Sequence, residues 1–188
     1  SLAVFALSSI PMTAHLGHLV GSRCSVRLHQ FDRHREGGIW LWPEDPAIAD
    51  ADMLPAVEGL PENGVAAAGP VLLRVSLSAA VSLDDCTAVL PTYAAEVHIR
   101  VANPSLGWLR SPRQLEEFGR VYRETLERIV HLVAACTEVH LFAAVPCGAA
   151  FEIGRQHNAN MHPPLVLYQY GRTSTPRYAA ALQIGQGD

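Results

Sequence analysis

Two stretches of this chain, far apart in sequence, follow one plan. Residues 3–11 read AVFALSSIP, an apolar β run closed by a proline, and MTAHLG follows. Residues 139–146 read VHLFAAVP, again an apolar β run closed by a proline, and CGAAFEIGR follows. Downstream of each comes a second β run, Ser25–Phe31 (SVRLHQF) in the first copy and Leu165–Tyr170 (LVLYQY) in the second. Gln30 and Gln169 hold the same place in these runs, each followed by an aromatic residue. A chain that writes strand, turn, helix and strand twice is expected to fold as two similar halves about a pseudo-twofold axis. The copies differ by two residues in the spacing from proline to glycine.

The segment between the copies is less regular. Residues 43–70 carry Pro43, Pro46, Pro55, Pro61 and Pro70, six acidic residues and no basic one, which reads as a loop-like excursion. Val71–Leu77 and Glu96–Val101 have strand character. A long helix is expected over roughly Pro112–Cys136. Ser111 stands at its N-cap, Pro112 at its first position, and Gln114 completes a capping box. Leu115, Phe118, Tyr122, Leu126, Ile129 and Val133 then recur every three or four residues as one apolar stripe. The helix feeds the strand at Val139–Ala143, a crossover of the kind found beside parallel sheets. The fold class is α/β with two Rossmann-like halves, about 1–105 and about 106–188, in a single domain.

Composition narrows the partners. The 188 residues hold no apolar run near the ~20 needed to span a membrane. Four scattered cysteines, Cys24, Cys86, Cys136 and Cys147, have no paired spacing, so reduced thiols in a cytoplasmic protein are expected. A net charge of -4 argues against a long nucleic-acid duplex but leaves room for a small ligand with a few phosphates. Ser1 and Leu2 run straight into an apolar strand without an initiator methionine, and a further domain upstream is expected.

In an open α/β sheet, ligands gather where strand carboxyl ends meet helix N-termini. Both copies have such a turn: Ser8, Ser9, Ile10 and Pro11 in the first, Ala144, Pro146, Cys147 and Gly148 in the second. Free backbone N–H groups and the positive end of the helix dipole suit each turn to an anion. A metal site is not expected. His15 and His18 sit one helical turn apart and His157 and His162 flank a turn, but no HExxH, CxxC or compact Asp/His set joins them.

The run Phe142–Pro146, then Ala149–Arg155, Pro163 with Pro164, Leu167–Tyr170 and Tyr178 through Ile184, is similar to the C-terminal signature of SAVED domains. The start, Phe5–Pro11 with Leu16 and Gly17, Leu28–Phe31, Arg33 and Trp40–Trp42, resembles their N-terminal signature. The middle agrees only in general pattern, at Leu77–Ala79, Asn103, Pro104 and Ser111. The resemblance implies a fused pair of CARF-like subunits that senses a cyclic di-, tri- or tetranucleotide in anti-phage defence. It also implies ligand-driven self-association and a fused effector, such as an HNH nuclease or a TIR NADase. On that footing the chain itself is a sensor without catalytic residues or cofactor.

A pocket for such a ligand needs aromatic faces for bases and donors for phosphates. Phe31, Trp40, Trp42, Tyr168 and Tyr170 are the stacking candidates, with alternation placing Trp40 beside Trp42 and Tyr168 beside Tyr170 on a strand face. Gln30 and Gln169 are candidates for base edges. Phe151 joins the binding set from the second helix, and Arg155 and Arg33 are candidate phosphate contacts. Core packing is the competing explanation for each aromatic, and a surface position for each arginine. Two rival functions remain open: a Rossmann-like hydrolase or ring nuclease using Ser8, His157 or Arg155, and a protein-interaction domain built on Trp40, Trp42 and the acidic insert.

Overall fold

The computed structural model describes residues 1–31, 40, 42 and 54–185. In chain order the elements are β1 (Leu2–Phe5), α1 (Ile10–Val20), β2 (Val26–His29), β3 (Ala56–Glu58), β4 (Gly69–Ser76) and α2 (Leu83–Thr87). They continue as β5 (Ala95–Arg100), α3 (Pro112–Leu132), β6 (Cys136–Ala144), α4 (Cys147–Gln156), β7 (Leu165–Tyr170) and β8 (Tyr178–Ile184). β1 and β2 form a parallel pair, and the other strands form one sheet in the order β3-β5-β4-β6-β7-β8. Its four inner strands are parallel; β3 and β8 close the edges antiparallel. The sheet takes strands from both sides of residue 105.

Parallel strands covered on both faces read as continuous apolar runs. In β4, Val71, Leu72, Leu73 and Val75 are fully buried. Arg74 interrupts that run and is accommodated because every side of its guanidinium is engaged. It donates twice to Glu96 Oε1 on β5 (2.9 and 2.6 Å) and once to the Val81 carbonyl (2.8 Å).

The stripe expected on α3 is buried as read, from Leu115 through Ile129 to the capping Val133. Ser111 Oγ accepts the Gln114 N–H at 3.2 Å, as the cap predicts. The helix stops at Leu132, short of Cys136, because Cys136 already belongs to β6. The insert also departs from its reading. Residues 54–70 are not one loop: they hold β3 and the start of β4, while 43–53 lie outside the described residues. β3 is a three-residue edge strand whose Glu58 pairs with Arg100 of β5 at 2.8 Å, so its polarity suits an edge and hides it in the sequence.

The internal echo is structural. β1 and β2 pair in parallel with α1 between them, as β6 and β7 pair with α4 between them. α1 and α4 cross directly. A Cβ on Gly17 would stand 2.0 Å from the Phe151 carbonyl oxygen, and one on Gly154 would stand 1.7 Å from that of Ala14. Gly17 thus meets Phe151 as Gly154 meets Ala14, which is the reciprocal contact a twofold axis demands. The same shift of numbering makes Phe5 the counterpart of Phe142. Phe5 stacks on His29 (4.5 Å) just as Phe142 stacks on Tyr168 (4.2 Å).

This equivalence corrects the alignment by prolines. The N-caps are Ser9 and Pro146, with matching backbone angles, while Pro11 lies inside the first turn of α1. The glycines are equivalent and the prolines are not, which accounts for the two-residue discrepancy. Close helix approach fixes a glycine, whereas a proline is acceptable anywhere in a first turn. Among the described residues, no helix is long and apolar enough to cross a membrane.

Candidate ligand cleft

Among the parallel strands of the six-stranded sheet β4 comes first in the chain, which then passes to β5 on one side and β6 on the other. The crevice at the carboxyl ends of two such strands is where open α/β sheets bind ligands. A cleft of about 930 Å³ opens there. Its walls repeat about the pseudo-twofold axis. Ala6 corresponds to Ala143, Leu7 to Ala144, Ile10 to Cys147, Gln30 to Gln169, and Phe31 to Tyr170, and all ten line the cleft.

The paired glutamines are held alike. Gln30 Nε2 donates to the Phe31 carbonyl (3.4 Å) and Gln169 Nε2 to the Tyr170 carbonyl (3.0 Å). Gln30 Oε1 also accepts the Gly148 N–H at 3.4 Å, tying the first copy to the N-terminus of α4. The N-cap residues Ser9 and Pro146 make no side-chain bond to their own helices, so apart from the Gly148 N–H, taken by Gln30, and Pro11, which has none, first-turn N–H groups of both helices are open to an acceptor.

The rest of the wall comes from one side. Ser78, Ala79, Ala80, Ser82 and Asp85 follow β4, Leu106, Gly107, Leu109 and Arg110 precede α3, and Tyr178 opens β8. Two small networks fix these loops. Ser76 Oγ accepts the Val81 N–H (3.0 Å) and lies 2.8 Å from His98 Nε2. Burial, followed by the nearby Arg74 cation, holds the His98 pKa below the ordinary histidine value and keeps the ring neutral. Before α3, Gln114 reaches back: its Nε2 donates to the Trp108 carbonyl (2.8 Å) and its Oε1 accepts the Arg110 N–H (2.9 Å). With Trp108 buried, this clamp holds Arg110 at the rim. Among the described lining residues Arg110 is the one cation and Asp85 the one carboxylate.

The expected site residues divide. Ile10, Gln30, Ala144, Pro146, Cys147 and Tyr170 line the cleft. Ser8, Ser9, Pro11 and Gly148 belong to the same two turns but do not line the cleft: Ser8 and Ser9 are exposed, Pro11 and Gly148 are buried, and the Ser8 carbonyl accepts the Cys147 thiol at 3.7 Å. Phe151 is core, fully buried in the helix crossing. Tyr168 is buried on Phe142, with its hydroxyl 2.9 Å from His140 Nδ1, so it supports the cleft wall without reaching it. Trp40 and Trp42 do not share a strand face. Trp40 packs edge-on against Phe5 and beside Phe31, while Trp42 donates to the Leu28 carbonyl (3.1 Å) beside a second, polar groove.

Arg155 also borders that groove rather than the cleft. Its Nε donates to the Gly21 carbonyl (3.1 Å) and its Nη1 to Glu152 (2.9 Å), so it ties α4 to the end of α1. Arg33 lies outside the described residues. The sequence reading passed over Arg110, Asp85, Ser82 and Tyr178. Arg110 carried one usable signal: it immediately precedes the strongest helix start in the chain.

His157, at the C-cap of α4, is buried and donates from Nε2 to the Pro163 carbonyl (2.9 Å). Burial pulls its pKa down to about 4. His18 and His162 pack their rings edge-on against it, at 5.4 and 5.6 Å. Among the described residues no three His, Cys, Asp or Glu side chains converge as a metal site.

Comparison with known proteins follows the same lines. The family model described as "SMODS-associated and fused to various effectors sensor domain", SAVED, matches residues 1–184. Among solved structures, the chain is similar to the Acinetobacter baumannii Cap4 SAVED/CARF-domain containing receptor with the cyclic trinucleotide 2'3'3'-cAAA. The TM-score is 0.62 at 11% identity, covering 94% of this chain and 36% of that one. The same receptor with 3'3'3'-cAAA matches at TM-score 0.59 and 10% identity, with 94% and 36% covered. At this identity the likeness is one of fold. The chain spans about a third of the length of the structures it matches. No curated protein matches the sequence.

Proposed function

This chain belongs to the SAVED family of sensor domains, and from that premise we propose that it binds a cyclic di- or trinucleotide in the cleft at the ends of β4 and β6. One observation carries the reading: five residue pairs related by the pseudo-twofold axis line a single cleft. A ring of repeated nucleotides presents its bases and phosphates in a similarly repeated way. The cleft volume, about 930 Å³, lies near the top of the ~300–1,000 Å³ range of small-molecule sites.

In this reading each chemical part of the ligand has a partner. Phe31 and Tyr170 offer faces for stacking, worth about 1–3 kcal/mol per base. The Gln30 and Gln169 amides lie where base edges would pass. Phosphates meet the open first-turn N–H groups of α1 and α4 and the Arg110 guanidinium. The Cap4 receptor structures contain cyclic trinucleotides, which favours a trinucleotide in this cleft as well. Ligand-driven self-association and a fused effector complete the proposal. The hydrolase alternative gains nothing from the geometry: His157 is buried at the far end of α4 and Arg155 is engaged by Gly21 and Glu152.

The test is a thermal-shift panel of cyclic di-, tri- and tetranucleotides with mixed 2′–5′ and 3′–5′ linkages, beside their linear counterparts. A ligand present at 100 times its Kd adds about 2.7 kcal/mol, or roughly 5–10 °C for a chain of this size. One cyclic compound raising Tm with its linear form silent is the expected result. A flat response across the panel overturns the proposal.

A further inference from the structure

The one-sided part of the cleft wall holds its single described carboxylate. Asp85 lies in α2, three residues after Ser82, whose Oγ accepts the Asp85 N–H at 3.4 Å. At that spacing a capping box would have the Asp85 side chain accept the Ser82 N–H in return, but no such bond forms. Among the described residues the carboxylate takes no hydrogen bond and no ion pair. Arg110 does not pair with it; its Nε donates to the Gly107 carbonyl (3.3 Å). Asp85 is half-buried and borders the cleft instead.

Its surroundings belong to the second copy. Tyr178 is buried edge-on against Phe142 (5.1 Å) and Tyr170 (5.2 Å), and Tyr170 itself is 43% exposed. The Tyr178 hydroxyl has no hydrogen-bond partner among the described residues, although Tyr178 lines the cleft. Burial first, and then the neighbouring acidic groups of Cys86, Tyr170 and Asp85, hold its pKa above the ordinary tyrosine value. The hydroxyl therefore keeps its proton, and Asp85 is near enough to act on it. A carboxylate, an idle hydroxyl and an open aromatic face thus share one side of the cleft.

A carboxylate is out of place in a cleft for a ligand with several phosphates, because like charges brought together and desolvated cost affinity. It is accommodated where the ligand offers N–H donors to it. An ionised carboxylate only accepts, through two oxygens side by side. Among the four bases, guanine alone presents adjacent N–H donors on its Watson–Crick edge, N1–H and the 2-amino group. Adenine and cytosine set one amino group beside a bare ring nitrogen, and uracil sets one N–H between two carbonyls. Resting on the cyclic-nucleotide reading of the cleft, we propose that Asp85 selects a guanine. Its carboxylate accepts N1–H and the 2-amino group of a guanine stacked at Tyr170, so the ligand carries at least one guanine. The Tyr178 hydroxyl supplies a donor for guanine O6, next to N1, where adenine has an amino group instead. Asp85 has no counterpart across the pseudo-twofold axis among the described lining residues, so a single guanine suffices. Gln30, in the other copy, has an amide that both donates and accepts, and it admits more than one base.

Isothermal titration calorimetry on this chain would compare cyclic di- and trinucleotides of matched linkage that differ by one guanine in place of one adenine. The guanine ring should bind about 10–100-fold more tightly, the discrimination of one good bidentate base contact. A ring with hypoxanthine at that position, which lacks the 2-amino group, should fall between the two. Asp85→Asn turns a pair of acceptors into an acceptor beside a donor, which fits the N6 amino group and N1 of adenine. It should reverse the preference, weakening the guanine ring and tightening the adenine ring by about 10-fold. A gain for the adenine ring cannot come from a damaged fold. Ring binding without a preference for guanine overturns the proposal while the cyclic-nucleotide reading stands. So does a hypoxanthine ring as tight as the guanine ring, or a preference that Asp85→Asn leaves in place. Binding of no ring overturns both.

Discussion

Replacing Gly154 with alanine tests whether the α1–α4 crossing organises the molecule. Helix propensity alone predicts a gain of about 1 kcal/mol, because glycine inside a helix is poorer than alanine by that much. The crossing predicts the opposite. The new Cβ would stand 1.7 Å from the Ala14 carbonyl oxygen and 2.7 Å from the His18 backbone nitrogen, whereas ordinary contact begins near 3.4 Å. Both obstacles are backbone, so no rotamer change relieves them and the helices must part by more than an ångström. Ala14, Ala149, Ala150 and Phe151 are fully buried around this contact, so parting them exposes apolar surface as well. Overpacking of this kind costs about 3 kcal/mol, at the upper end of the usual range. Net of propensity, Gly154→Ala should destabilise the chain by about 2 kcal/mol. With a urea m-value of about 2 kcal/mol/M, the unfolding midpoint followed by circular dichroism falls by roughly 1 M. Gly119→Ala in α3 is the matched control. Its Cβ would meet only the flexible ends of Glu152 and Gln156 at 3.4 Å, so the midpoint should hold or rise. If Gly154→Ala proves as stable as Gly119→Ala, the helices are not in backbone contact and the twofold relation fails with it.

Two further expectations follow. Arg110→Ala should weaken binding of the responding cyclic oligonucleotide about 10–100-fold by calorimetry, the loss of one charge-assisted contact of about 1.5–3 kcal/mol; an unchanged Kd would remove Arg110 from the phosphate site. His157 should make the fold acid-sensitive. Its pKa is about 4 in the folded chain against about 6.5 unfolded, so below pH 6.5 the unfolded chain takes up a proton that the native ring does not. Stability therefore falls as pH drops from about 6.5 to about 4, by up to roughly 3 kcal/mol from this residue, with His162 and His98 pushing the same way. Urea midpoints of His157→Gln should vary less over that interval than those of the parent chain; identical pH profiles would refute the assignment.

How much of the site could be read beforehand depended on what kind of constraint fixed each residue. The two strand-to-helix turns were legible because a proline and small residues after an apolar run are local signals. Both glutamines were found for the same reason, since each lies at the end of a strand run of recognisable pattern, Gln30 just after β2 and Gln169 next to last in β7, and the copies could be compared. Arg155 and Arg110 show the limit. Arg155 lies in the better-marked motif, yet α1 packs against α4 closely enough for the Gly21 carbonyl and Glu152 to engage its guanidinium away from the cleft. Arg110 carries no periodicity, and only the Gln114 clamp across the start of α3 brings its loop to the rim.

Sequence periodicity determined the parallel-strand runs of β4 and β6, the buried stripe and cap of α3, and the existence of two related copies. Those are short-range matters, set by side-chain spacing along one strand or one helix. The tertiary structure alone decided which landmarks are equivalent, with glycines aligned and prolines not, because only helix crossing imposes a distance that a side chain cannot meet. It also decided that Tyr168 and Phe151 are packing while Tyr170 is surface. β3 and β8 became strands because neighbours offered them unpaired edges; YAAALQI in particular has no alternation of its own to announce a strand. A cleft assembled from both copies at the ends of five strands has no local code, since its residues meet only after the sheet and the helix crossing have formed.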